Sequence, residues 1–109
     1  IADHVKPGVV CESLYQMALE RVRRAGFADY FMGVEQKARF IGHGVGLEIN
    51  ESPVIASRIS TILEPGMVFA LEPKIVLPGV GPLGIENTWV VTAEGVEKLT
   101  NAPEEIVLL

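Results

Sequence analysis

Between Leu77 and Gly84, prolines and glycines interrupt two stretches of β-patterned sequence, and this interruption narrows the possible folds more than any other feature. Met67 to Val76 alternates, with Met67, Phe69, Leu71 and Ile75 on one face and Val68, Ala70, Glu72 and Lys74 on the other. Ile85 to Thr92 resumes with β-branched and aromatic residues. The run between them reads as a hairpin loop, so the two stretches are expected to pair as antiparallel strands. Position 79 lies midway between Glu72 and Glu86, and a symmetric hairpin about it sets the two carboxylates side by side. Directly opposed like charges weaken a sheet. They persist if they are exposed, protonated or bridged by a cation.

Upstream, Pro7-Gly8 marks a turn, and Leu14, Met17, Ala18, Val22 and Ala25 then recur at helical spacing. This predicts an amphipathic helix from Cys11 to Ala25, stopped by Gly26, with Arg21, Arg23 and Arg24 suiting its C-terminal dipole. Ser13 fits either a cap or a first-turn position. Phe27 to Gly33 shows no period and reads as a loop. From Arg39 the pattern turns to strands through Phe40-Ile41 and Leu47-Glu48-Ile49, with Asn50 to Pro53 as a turn. Leu63-Glu64-Pro65-Gly66 places Pro and Gly for a type II turn. Ala93-Glu94-Gly95 turns the chain again, Val96 to Leu99 pairs back, and the apolar tail Ile106 to Leu109 is expected to dock.

The 109 residues suffice for a single domain around one core, spanning 1–109. Hydrophobic residues make up 49% and charged ones 21%, a globular balance that argues against disorder. A net charge of -5 argues against nucleic acid as a partner. No apolar run reaches the ~20 residues of a membrane span. Cys11 is the single cysteine, so no internal disulfide forms, and a reducing cytoplasmic setting is expected. The chain opens at Ile1 without an initiator methionine and is expected to be part of a longer protein.

His43 stands between Gly42 and Gly44 in Gly42-His43-Gly44-Val45-Gly46, where the missing side chains let backbone or a ligand approach the ring. One imidazole and two carboxylates suit a divalent ion such as Mn, Co, Fe or Zn. A glycine-flanked histidine also suits a packed or solvated residue, and a glutamate beside Pro73 also suits a solvated edge charge.

Three ordered segments carry a resemblance that covers nearly the whole chain. Phe40 to Glu48 resembles the GHGxG segment of prolidases and methionine aminopeptidases. Leu63 to Pro73 resembles their PGMVF segment ending in Glu-Pro, and Gly84 to Thr92 their Glu-Asx-Thr strand. Lys6-Pro7-Gly8 and the helix behind it match as well. The resemblance implies an α+β fold, a curved antiparallel sheet with a packed helix, forming the C-terminal half of a pita-bread domain. It implies that His43, Glu72 and Glu86 are metal-ligand positions in a two-metal hydrolase, with Glu86 bridging and Glu72 also shuttling a proton. The family's other two ligands are aspartates on earlier strands, and neither Asp3 nor Asp29 sits in a matching motif. The isolated chain is therefore expected to bind metal weakly if at all and to be inactive alone.

The implied activity of the intact protein is metallopeptidase cleavage of an amide bond near a peptide N-terminus, with Xaa-Pro substrates as the first expectation. Where the resembled peptidases carry His-Glu-x-Pro, this chain has Asn50-Glu51-Ser52-Pro53. The substrate-facing position thus holds Asn50, which can donate a hydrogen bond but carries no titrating proton. A turn residue bonded to its own backbone would look the same. A creatinase-like hydrolase of a small guanidino or amide compound, a metal-free binding module, and an α+β domain without a site remain alternatives. Lacking its partner half, the chain is expected to expose apolar surface and to self-associate as a homo-oligomer.

Overall fold

A computed structural model of the chain describes residues 1–108. A 3-10 turn, Ala2–His4, leads to helix α1, Cys11–Arg24, and a second 3-10 turn spans Ala28–Tyr30. Seven strands follow: β1 Phe40–Gly44, β2 Glu51–Ala56, β3 Val68–Leu71, β4 Lys74–Leu77, β5 Gly81–Gly84, β6 Asn87–Val91 and β7 Val96–Lys98. Five form an antiparallel sheet in the order β2-β1-β3-β6-β7, and β4 pairs with β5 in a separate ribbon. The expected α+β class, an antiparallel sheet with one packed helix, is what forms. Among the described residues no helix is long and apolar enough to cross a membrane.

Helix α1 begins at Cys11 as its sequence predicts and ends at Arg24, with the predicted last residue Ala25 serving as its C-cap. Its first free N–H groups are satisfied from outside the helix, with Cys11 donating to the Thr61 carbonyl and Glu12 to that of Ile59. Ser13 takes the first-turn role, its hydroxyl donating back to the Val10 carbonyl at 2.6 Å. Gly26 adopts φ +80°; its N–H bonds to the Arg23 carbonyl and that of Phe27 to Val22, a Schellman closure. Cys11, Leu14 and Ala18 are buried with Ile41, Ile55, Leu63, Phe69, Leu71 and Val91, so the core lies where α1 meets the sheet.

Several local expectations are corrected. Met67 to Val76 is two strands, not one, because Pro73 has no N–H to continue the ladder and the chain crosses into the β4-β5 ribbon there. The hairpin loop is shorter than expected, since pairing resumes at Gly81, and β6 starts at Asn87 rather than Ile85. Asn50 to Pro53 is not a turn: from Glu51 it belongs to β2, where Pro53 is tolerated because β2 is an edge strand. Leu47-Glu48-Ile49 forms no strand and is exposed. Within the predicted loop from Phe27 to Gly33, Phe31 and Met32 are core residues, and Phe31 bridges to Ile75. In the tail, Ile106, Val107 and Leu108 are exposed rather than docked, and Leu109 lies outside the described residues. The Glu64 to Met67 turn forms with Gly66 at φ +90°, and the Thr92 to Gly95 turn closes on Thr92.

Candidate metal centre

The geometry begins with register. Val68 pairs with Val90 and Leu71 with Asn87 in the main sheet, while Lys74 pairs with Gly84 and Leu77 with Gly81 in the ribbon. All four pairs are centred on position 79. The hairpin is therefore symmetric through the break between the two sheets, and Glu72 and Glu86 occupy matching places on either side of it.

His43 arrives from β1, which is flanked by β2 and β3; it sits opposite Val54 on one side and Ala70 on the other. Opposed residues share a face, so His43 takes the face of Ala70, which is also that of Glu72, while Phe69 and Leu71 enter the core. The glycines beside His43 serve the neighbouring strands. A Cβ on Gly42 would lie 2.6 Å from the Ala70 carbonyl oxygen, and one on Gly44 would overlap the Ser52 carbonyl. These residues are small so that three strands can close around the histidine.

The imidazole is fixed in orientation. Its Nδ1 lies 3.0 Å from the Gly44 carbonyl oxygen, which can only accept, so Nδ1 carries a hydrogen and Nε2 is left facing Glu72. Phe40 packs edge-on against the ring with centroids 5.8 Å apart. Nε2 lies 3.5 Å from Glu72 Oε1, and the two side chains are only 12% and 20% exposed. One donor atom each from His43, Glu72 and Glu86 falls within 4.8 Å of the others. Glu86 is the exposed member of the three. The donor set, one imidazole nitrogen and two carboxylates, fits a borderline divalent ion.

Asn50 is exposed in the bend just before β2, outside this group of three. Asp3 and Asp29 lie in the two 3-10 turns, also outside it. Two further residues shape the site. Lys74 places Nζ 3.1 Å from Glu72 Oε2, and with Glu72, Glu86, Pro82, Gly84 and Ile85 it lines a cleft of about 240 Å³. Its place on the Glu72 face was readable from strand alternation; its ion pair was not. Asn87, next to Glu86, is the buried polar residue among those described. It donates to Glu104 Oε1 at 2.8 Å and accepts from the Thr100 hydroxyl, while Lys98 bonds the same Glu104 oxygen at 3.0 Å. This network joins the C-terminal segment to the strand that follows Glu86.

Residues 1–93 match the profile of metallopeptidase family M24. The chain is 37% identical over 106 residues to the uncharacterized peptidase YqhT of Bacillus subtilis, covering 97% of this chain and 28% of that protein. It is 38% identical over 105 residues to the Xaa-Pro dipeptidase of Pyrococcus furiosus, covering 96% and 28%. The chain thus spans about 28% of the length of these relatives. Among solved structures, the X-Pro aminopeptidase of Thermotoga maritima superposes with a TM-score of 0.87 at 33% identity, covering 99% of this chain and 29% of that one.

Proposed function

The chain belongs to metallopeptidase family M24, and from that premise we propose that the whole protein is a metal-dependent hydrolase cleaving an amide bond near a peptide N-terminus, with Xaa-Pro peptides as substrates. The observation that supports this most is the meeting of His43, Glu72 and Glu86, drawn from three segments onto one spot by the register of the sheet. In this reading the three side chains are this chain's contribution to a site for two divalent ions, Mn, Co, Zn or Fe, with further carboxylates supplied from outside residues 1–109. Such ions supply Lewis acidity and activate water.

The chain's own residues have separable tasks. His43, held through Nδ1 by the Gly44 carbonyl, presents Nε2 without reorganisation. Glu72 has its two oxygens in different surroundings, Oε1 toward His43 and Oε2 toward Lys74. In this reading Glu72 takes a proton from the attacking water and returns it to the leaving amine. Asn50 donates a hydrogen bond to the substrate carbonyl. The single cysteine fits a reducing compartment such as the cytoplasm.

The test is hydrolysis of Xaa-Pro dipeptides by the full-length protein loaded with Mn or Co, alongside His43→Ala, Glu72→Gln and Glu86→Gln. Each variant is expected to lose at least about 100-fold in kcat/KM, beyond the ~10–100-fold cost of losing an outer hydrogen-bond partner. Full activity in any of the three removes that residue from the site. Asn50, where the resembled peptidases carry His, favours a second reading, hydrolysis of a small guanidino or amide compound. Metal binding with no cleavage of Xaa-Pro peptides, but turnover of such compounds, selects it.

A further inference from the structure

We propose that Lys74 tunes the affinity of the site for a divalent ion: its ammonium lies against Glu72 Oε2 and offsets part of the negative charge that draws an ion in. The inference rests on the metal-site reading above. Lys74 and Glu72 are two residues apart on one face of the chain, with Nζ 3.1 Å from Oε2, and both line a cleft together with Glu86. The partner strand leaves room for this. Gly84 is paired with Lys74, and a Cβ on Gly84 would stand 2.9 Å from Lys74 Cβ and 2.9 Å from the Pro73 carbonyl oxygen. Any side chain there would push the lysine stem aside.

Two glutamates within reach of one another repel when no cation is present. The Lys74 ammonium, held on Glu72 Oε2, relieves part of that repulsion and lowers the net charge an ion meets from two negative charges to one. At the short separations involved, a unit charge changes affinity by about tenfold or more. Lys74 therefore offsets the repulsion between the two glutamates and weakens ion binding, which keeps the ion exchangeable.

The experiment is calorimetric titration of Mn into the metal-stripped full-length protein, comparing wild type, Lys74→Met and Lys74→Arg, with melting temperatures in EDTA. Lys74→Met is expected to bind Mn about tenfold more tightly than wild type and to melt lower in EDTA. Adding Glu86→Gln to Lys74→Met is expected to recover that melting temperature. Lys74→Arg, which keeps the charge, is expected to stay near wild type. Equal or weaker Mn binding by Lys74→Met overturns the proposal while leaving the metal site intact. If neither wild type nor Lys74→Met binds Mn, the metal-site reading falls and this proposal falls with it.

Discussion

At Gly44 a single methyl group separates a closed sheet from a strained one. Its added carbon would overlap the Ser52 carbonyl, which is backbone and has little freedom to move. Gly44→Ala is expected to destabilise the protein by about 1–3 kcal/mol, the usual cost of overpacking, read by urea unfolding. The buried Cys11 gives a second expectation. Burial pushes its thiol up from the ordinary value, a backbone hydrogen bond offsetting part of the rise. The unfolded chain then loses its thiol proton first, above about pH 8.5, while the folded chain keeps it. Stability contributed by Cys11 is complete below that pH and is lost as pH rises toward the folded-state value, at up to about 1.4 kcal/mol per pH unit. Unfolding curves between pH 8 and 10 should show this slope in wild type, and Cys11→Ala should remove it. Both residues were conspicuous in the sequence, yet the glycine's purpose was not, because the atom it avoids belongs to a residue eight positions away on another strand.

Among the elements, α1 was the most legible. Its apolar spacing, its basic last turn and Gly26 are local signals, and all three hold. Gly26→Ala would place an L side chain at φ +80°, and is expected to lower stability by about 1 kcal/mol, measured as a fall in melting temperature. The matching places of Glu72 and Glu86 were also legible, because hairpin symmetry depends on counting residues about position 79 rather than on where each strand ends. Strand ends were misread wherever hydrogen bonds decided them. Alternation continues through Glu72-Pro73, but the ladder does not, and no pattern of apolar residues records the loss of one N–H. The same applies to β2, whose Ser52-Pro53 looks like a turn until its edge position is known.

Over the whole molecule, Val45, Leu47 and Ile49 are exposed along one bend, and Phe27, Leu83, Ile85 and Ile106 line an apolar groove. Surface of this kind is commonly covered by other protein. The 109-residue chain produced alone is expected to self-associate, and light scattering coupled to size exclusion should show a mass above one chain at high concentration. A clean monomer would count against it. Leu47→Ser with Ile49→Ser should shift any assembly that uses the bend toward the monomer.

The sequence by itself determined the helix, the antiparallel hairpin, the family resemblance and the three candidate ligand positions, since each rests on spacing along the chain or on motifs in order. The tertiary structure decided what spacing does not encode. It turned His43 by the Gly44 carbonyl, set Lys74 against Glu72, and tied Asn87 beside Glu86 to Glu104. Those contacts depend on side-chain direction and on backbone groups brought together from distant segments, so they come into being only when the sheet closes.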